Sequence, residues 1–263
     1  MAKNFDLVVI GAGPGGYIAA IRAAQLGMSV ACVDAWSDEK GKPAPGGTCT
    51  NVGCIPSKAL LQSSEHYEQA DKHFAEHGIK VKGLELKLDT LLGRKDKVVN
   101  ENNQGILFLF KKNKVTFFHG KAAFNAKVDA GWSIKVDGKE AEELVAKHVV
   151  VATGSSARSF PNLPFDEKTV LSNDGALRLT QVPKKLGVIG AGVIGLELGS
   201  VWRRLGAEVT ILEGAPEFLA AADRDVAKEA LSALTKQGLE IKLGAKVGEV
   251  KASGKGVSVA YKD

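Results

Sequence analysis

Asp6-Leu7-Val8-Val9-Ile10-Gly11-Ala12-Gly13-Pro14-Gly15-Gly16, read together with Leu186-Gly187-Val188-Ile189-Gly190-Ala191-Gly192-Val193-Ile194-Gly195, decides the fold. Each stretch is a short apolar run followed by glycines in the order G-x-G-x-x-G, and the likeness continues downstream. A further glycine, Gly27 or Gly206, lies eleven residues past the last motif glycine (27 − 16 and 206 − 195). An acid, Asp34 or Glu213, lies eighteen past it (34 − 16 and 213 − 195). A spacing repeated at this length marks a duplicated unit. Each copy reads as an apolar strand, a Gly-rich turn, a helix closed by a glycine and a second apolar strand, which is a βαβ unit.

The chemistry of that unit is dinucleotide binding. Its first glycine permits the tight turn, its second lets the backbone approach a pyrophosphate, and its third lets helix and strand pack closely. The helix N-terminus then points free N–H groups at the phosphates. Asp34 and Glu213 stand near the offset, about 20 residues, at which a carboxylate accepts hydrogen bonds from a ribose. A carboxylate at Glu213 repels a 2′-phosphate, so NAD is favoured over NADP. The expected fold class is α/β, with two Rossmann-like domains built on βαβ units.

Composition narrows the classes further. The 263 residues, 44% hydrophobic and 25% charged, are those of an ordinary globular protein. The 35 Lys+Arg and 30 Asp+Glu are interleaved rather than gathered into a basic stripe, which argues against nucleic acid as a partner. No run reaches the ~20 apolar residues of a membrane span, and the start carries no signal-peptide pattern. A cytoplasmic protein without a membrane partner is expected. Three cysteines are too few for a disulfide scaffold, and an intracellular pair is more often catalytic or metal-binding.

After a polar surface loop at 36–45 comes Gly46-Gly47-Thr48-Cys49-Thr50-Asn51-Val52-Gly53-Cys54-Ile55-Pro56-Ser57-Lys58. It sets two cysteines five positions apart at the threshold of a helix running on through Ala59, Leu60 and Leu61, with Pro56 suited to the first turn. Residues five apart on a regular helix diverge by more than a turn. A bridge between these two therefore requires a distorted or pre-helical segment, which Gly53 and Pro56 supply. Sulfurs near a helix N-terminus have lowered pKa, and Lys58, one turn beyond Cys54, favours a thiolate further. Zinc is the competing use, but a zinc pair needs a second ligand pair and none follows.

The run from Gly46 to Leu61, with the upstream Gly-Ala-Gly-Pro-Gly-Gly motif, resembles the class I pyridine nucleotide-disulfide oxidoreductases. Ile55-Pro56-Ser57-Lys58-Ala59-Leu60-Leu61 is most similar to the members of that class that oxidise dihydrolipoamide. Glutathione-type members usually carry Lys in place of Ser57 and use NADPH, which disagrees with Glu213. The resemblance covers the whole chain and implies FAD and NAD as cofactors, with an FAD-binding domain at 1–155 and an NAD-binding domain at 156–263 whose C-terminal end is incomplete.

Residue roles follow from the same resemblance. It implies that dihydrolipoamide reduces a Cys49–Cys54 disulfide, Cys49 meeting the substrate and Cys54 lying against the flavin, and that the electrons pass through FAD to NAD⁺. Lys58 stands near the flavin, balanced by Glu197 from the helix of the second unit. The flavin nucleotide is held by Gly11, Gly13, Pro14, Gly15 and Gly16, by Asp34 and Ala35, and by Gly47 and Thr48. Gly120, Lys121 and Ala122 meet its adenosine end, and the Ala152-Thr153-Gly154-Ser155 link closes the first part of that domain. The nicotinamide nucleotide falls to Gly190, Gly192, Val193, Ile194, Gly195, Glu197 and Glu213, with Val247 at the adenine. Asp34 departs from the pattern, being one methylene shorter than the usual Glu.

The implied partners are the lipoyl domains of 2-oxo acid dehydrogenase complexes, and the implied full-length state is a homodimer. Members of the class continue past residue 263 with a Gly-Asp motif and an interface domain bearing a His-Glu pair, whose His is the general base. The chain by itself is therefore expected not to turn over dihydrolipoamide. Two rivals stand beside this reading: another disulfide reductase such as a mercuric reductase, and a nucleotide-binding module without turnover. His73-Phe74-Ala75-Glu76-His77 matches an inverted zinc-protease pattern but reads as helix-end imidazoles before Gly78, with no metal expected. Cys32 and the phenylalanines Phe108, Phe110, Phe117 and Phe118 read as core. A surface helix is expected at 84–103, and strands at 115–136.

Overall fold

The computed structural model describes residues 2–139, 141–161, 163–253 and 256–262. It divides the chain into one unit of Met1–Pro56 with Asp96–Ser156 and another of Ser57–Lys95 with Ala157–Asp263. Within the second unit Lys95 is 5% exposed and its Nζ donates to the Leu177 carbonyl at 3.2 Å.

The first unit begins with strand β1 (Lys3–Ile10), helix α1 (Pro14–Gln25) and strand β2 (Val30–Asp34). Every side chain from Leu7 to Ile10 and from Val30 to Val33 is buried, the signature of parallel strands covered on both faces. β1 and β2 pair in parallel from Leu7↔Val30 to Ile10↔Val33. Helix α1 buries only Gly16, Ala20 and Ala23, small residues that let it lie close to the sheet. It stops where Gly27 adopts φ 90°, a left-handed conformation that ends helices.

Along the chain helices α2 (Gly47–Val52), α3 (Cys54–Glu68) and α4 (Leu88–Lys112) come next, α3 from Ser57 onward and α4 as far as Lys95 belonging to the second unit. Helix α3 runs on through a π turn (Gln69–His73) and a 3₁₀ turn (Phe74–His77) that ends at the left-handed Gly78. Strands β3 (Thr116–Val128), β4 (Gly131–Gly138) and β5 (Glu142–Val151) complete the unit. β3 is parallel to β2 as far as Asp34↔His119 and antiparallel to β4 from Gly120↔Gly138. β5 pairs antiparallel with β4 and parallel with β1, which closes the five strands into a ring. Val8, Ile10, Ala31, Val33, Ile134, Val136, Leu144 and Ala146 form one core cluster. Leu7, Val9 and Cys32 on the opposite side of β1 and β2 pack with Ala20, Ala23, Ile106 and Phe110 of α1 and α4.

Several expectations are corrected here. The long helix starts at Leu88 rather than 84 and reaches Lys112, because the apolar stripe that ends in Ile106 and Phe110 needs covering by β1 and β2. Phe108, two residues from each of those, faces away and is 63% exposed, so it is not core. The 115–136 region is two strands, and a third, β5, follows them. Pairing of β4 with β5 spans Trp132↔Ala146 to Val136↔Glu142. Beyond Ala146 that edge of β5 has no ladder partner among the described residues, and Val151 is 61% exposed.

The second unit holds α5 (Asn173–Ala176), β6 (Lys185–Ile189), α6 (Val193–Arg204), β7 (Glu208–Leu212), α7 (Arg224–Lys236), β8 (Glu240–Lys242), β9 (Lys246–Ser253) and β10 (Gly256–Lys262). β6, β7 and β8 make a parallel three-stranded sheet, and β9 and β10 an antiparallel pair. Helix α6 buries Leu196, Leu198, Val201 and the fully enclosed Trp202, whose indole N–H donates to the Ala176 carbonyl at 3.1 Å. No described helix of either unit is long and apolar enough to cross a membrane.

Asp6 ties three segments of the first unit together. One carboxylate oxygen accepts from Lys147 Nζ at 2.7 Å, and the other from the Ser29 hydroxyl at 2.7 Å and the Ser29 amide at 2.8 Å. The Lys147 ammonium, then the Ser29 hydroxyl and amide, hold this carboxyl well below its ordinary value of 3.8. Because the folded pKa is depressed, the stabilisation is complete above that ordinary value and is lost as the pH falls below it. Asp6→Asn is expected to lower Tm at neutral pH and to flatten its acid decline. Parallel Tm–pH curves for parent and variant, measured by circular dichroism, would refute this role.

Candidate nucleotide crevices and redox site

Within each βαβ unit the three motif glycines answer to different demands. Gly11 and Gly190 have φ of 100° and 104°, which side-chain-bearing residues rarely adopt. A Cβ on Gly16 would overlap the Gly11 carbonyl oxygen, and one on Gly195 the Gly190 carbonyl oxygen, so the third glycine is required by the turn itself. The middle glycines differ. Gly13 (φ −72°, ψ −178°) and Gly192 (φ −74°, ψ 171°) are in extended backbone open to any residue. A Cβ on Gly192 would meet nothing within 4 Å, and one on Gly13 only the Gly47 Cα at 3.7 Å. Nothing in the chain needs glycine there. The space is a cradle that a methyl would fill, placed at the N-termini of α1 and α6, where the positive end of each helix dipole lies.

The two acids also match. Asp34 accepts from the Ala12 amide at 2.7 Å and from the Trp36 amide at 2.8 Å. Glu213 accepts from the Ala191 amide at 2.7 Å and from the Ala215 amide at 2.8 Å. Each carboxylate thus braces its own glycine turn, a role the sequence reading missed, and each oxygen keeps a lone pair for a ribose hydroxyl. The shorter Asp34 makes the same two bonds as Glu213.

Other expected residues gather at the first crevice. A Cβ on Gly11 would overlap the Ala152 carbonyl oxygen, and the Ala152 amide donates to Ile10 at 2.8 Å, so the 152–155 link runs beside the motif. Thr48 Oγ1 donates to the Ser155 carbonyl at 3.0 Å, and Gly154 has φ 75°. The Asp34↔His119 register sets Gly120 and Lys121 just beyond the acid, next to Ala35. Gly120 must be glycine because a Cβ would come within 2.6 Å of the Asp137 carbonyl oxygen. The Ala122 side chain packs on the core, which leaves its backbone for any ligand contact. In the second unit, Val193 and Ile194 stand 62% and 55% exposed in the first turn of α6. The Ala245 amide donates to the Glu213 carbonyl at 2.9 Å, and Val247 follows two residues on.

The cysteines are bridged. Instead of one helix threshold the structure has two helices, α2 carrying Cys49 and α3 starting at Cys54, broken at Gly53 (φ −138°, ψ −115°). The break brings the two Cα atoms to 4.7 Å, and the sulfurs form a disulfide. A Cβ on Gly53 would lie 2.9 Å from the Thr48 carbonyl oxygen, so the break depends on glycine. The loop is fastened by residues that sequence reasoning passed over. Asn51 Nδ2 donates to the carbonyls of Ala44 (2.9 Å) and Gly47 (3.0 Å). Buried Asn103 of α4 donates to the Pro45 carbonyl (2.7 Å) and to Asn51 Oδ1 (3.1 Å). The signal for Asn103 was its place on the stripe 99, 103, 106, 110, where a polar residue needs partners.

Glu197 is also engaged, within the second unit. Its Oε1 accepts from Lys58 Nζ at 2.5 Å and its Oε2 from Ser57 Oγ at 2.8 Å. Cys32 is fully buried, and burial, with Asp34 adding to it, pushes its thiol far up, so it stays protonated and outside this chemistry. His73 Nδ1 lies 3.5 Å from Glu76 on an exposed turn. Among the described residues, no three or more His, Cys, Asp or Glu side chains are grouped to hold a metal.

A duplicated glycine-turn crevice and a cysteine-pair disulfide in one chain define a class of redox protein, and the chain belongs to it: the pyridine nucleotide-disulphide oxidoreductase family model matches residues 5–263. The chain is 55% identical to the dihydrolipoyl dehydrogenase of Cupriavidus necator, covering 100% of this chain and 55% of that protein. It is 49% identical to the mitochondrial dihydrolipoyl dehydrogenase of Pisum sativum, covering 97% and 49%. Among solved structures, LpdA from Mycobacterium tuberculosis superposes with a TM-score of 0.86 at 25% identity, covering 99% of this chain and 55% of that one. The chain spans about half the length of the curated relatives it matches.

Proposed function

We propose that this chain supplies the FAD-binding and NAD-binding units of a dihydrolipoamide:NAD⁺ oxidoreductase. The observation that carries the reading is the seating of Gly47 on Gly13: a Cβ on Gly47 would lie 2.8 Å from the Gly13 Cα. Cys49, two residues beyond Gly47, is thereby delivered with its disulfide partner to the first crevice. FAD fits that crevice through the unfilled space at Gly13 and Gly15, the N-terminus of α1 and the carboxylate of Asp34. NAD fits the second through Gly192, Val193, Ile194 and Glu213.

The chain's own sulfurs do the exchange. A substrate thiolate attacks Cys49 Sγ, the Cys49–Cys54 bond breaks, and its electron pair leaves on Cys54 as a thiolate. The second substrate thiol, deprotonated by a base, attacks the mixed disulfide, closing the oxidised dithiolane ring and releasing Cys49 as a thiolate. FAD held at Gly11, Gly13, Gly15 and Asp34 would supply a two-electron acceptor for the reduced cysteines, and NAD⁺ held at Gly192 and Glu213 would be the final hydride acceptor. Lys58, four residues past Cys54 on α3, is the charge assigned to that chemistry, with Glu197 as its counter-ion. The proposal includes lipoyl domains of 2-oxo acid dehydrogenase complexes as partners, a homodimer for the full-length protein, and a reducing compartment such as the cytoplasm.

Nucleotide choice tests the second unit directly. Glu213 is fixed by two amides and cannot turn away from a 2′-phosphate. NADH is expected to bind at least about tenfold more tightly than NADPH, a difference of about 1.4 kcal/mol. Equal affinities in fluorescence titrations would remove Glu213 from its assigned place.

A further inference from the structure

Ser57 is 5% exposed on α3, and its hydroxyl donates to Glu197 Oε2 at 2.8 Å while Lys58 takes Oε1 at 2.5 Å. The Lys58 side chain is 58% exposed and that of Glu197 20%. An ion pair of this exposure must hold two long, flexible side chains in one geometry, which opposes the attraction between them. A serine Oγ is one bond from Cβ and has almost no freedom to lose. By pinning one carboxylate oxygen, it aims the other at the neighbouring ammonium.

We propose that Ser57 is a positioning residue: its hydroxyl fixes the Glu197 carboxylate so that Lys58 is held at one place at the start of α3. The functional consequence rests on the reading above, in which the Lys58 charge lies beside the redox centre. Serine suits this post because it contributes a hydrogen-bond donor without a second cation, leaving Glu197 and Lys58 as a neutral pair. Alanine at 57 would free one oxygen of Glu197, let the carboxylate swing, and release Lys58 toward solvent.

Trace acetylation of the chain with acetic anhydride, quantified by peptide mass spectrometry, reads this directly, since an ammonium held by a carboxylate acylates more slowly than a free one. The measure is the rate at Lys58 relative to exposed Lys80, which cancels any global loosening. Ser57→Ala is expected to raise that ratio about threefold, the factor fitting a partly exposed ion pair, and Glu197→Gln at least as much. Ser57→Ala should add nothing in the Glu197→Gln background, and Ser57→Thr should bring the ratio back toward the parent value. A Ser57→Ala ratio equal to the parent, or an effect that persists without the Glu197 carboxylate, overturns the proposal. So does an unchanged ratio in Glu197→Gln, which would mean that the pair does not form. The labelling needs neither flavin nor nicotinamide. A protein that shows these labelling responses but takes up no flavin would therefore sink the functional reading alone.

Discussion

Gly192→Ala is expected to fold like the parent and lose about a hundredfold in NADH affinity, about 2.7 kcal/mol, while Gly195→Ala, three residues on, is expected to lose the second unit. The contrast follows from what each methyl would meet. At Gly192 the backbone is extended and nothing lies within 4 Å, so the substitution costs the fold little and fills the cradle where a pyrophosphate would approach. At Gly195 the methyl would overlap the Gly190 carbonyl oxygen and sit 3.0 Å from Val188 Cγ1. Val188 is in β6 and Gly190 follows its last residue directly, so the helix has to lift off the strand. A cost above about 4 kcal/mol is expected, at the exceptional end for single substitutions and read as a Tm loss of about 10 °C or more. Thermal melts and NADH titrations of the two variants separate the effects. An unaffected affinity in Gly192→Ala would mean that the empty space is not a ligand site.

Cys54→Ser is expected to abolish electron storage in the sulfurs. In a flavin-loaded protein containing this chain, the reduced parent should show long-wavelength thiolate-to-flavin absorbance, and this variant none. The argument rests on the geometry of the break. Gly53 separates α2 from α3 and turns both sulfurs to one another, while Asn51 and Asn103 hold the loop from behind. Serine at 54 keeps that scaffold and removes the thiolate, so flavin retention should persist. If the band survives in Cys54→Ser, the sulfur against the flavin is not Cys54.

Much of this arrangement was legible in the sequence because local chemistry dictated it. The apolar runs at 7–10 and 186–189, the glycine order and the acids at a fixed offset specify a βαβ unit with little help from the rest of the chain. That the cysteine segment departs from a regular helix was legible too, since two cysteines five apart cannot be bridged on one, but the separate helix α2 ahead of Gly53 was not. What was not legible depends on contacts made far along the chain. The bond from Ser57 to Glu197 spans 140 positions. The packing of residues 57–95 with the second unit rests on bonds such as Lys95 to Leu177, 82 positions apart. The ring closure comes from β5 returning to β1, with Lys3 facing Leu144. Phe108 and Phe110 are alike in composition and two apart, and only the direction of α4 decides that one is core and the other exposed. The bracing of each glycine turn by Asp34 and Glu213 was hidden for another reason: the partners are backbone amides, which leave no trace in residue identity.

Anaerobic reductive titration of the flavin-loaded protein tests the central claim most directly, that one disulfide and one flavin share electrons. Uptake of about four electrons per flavin, two for the ring and two for the sulfurs, is the result expected. Uptake of about two, with Cys49 and Cys54 still bridged at the end point, would contradict it.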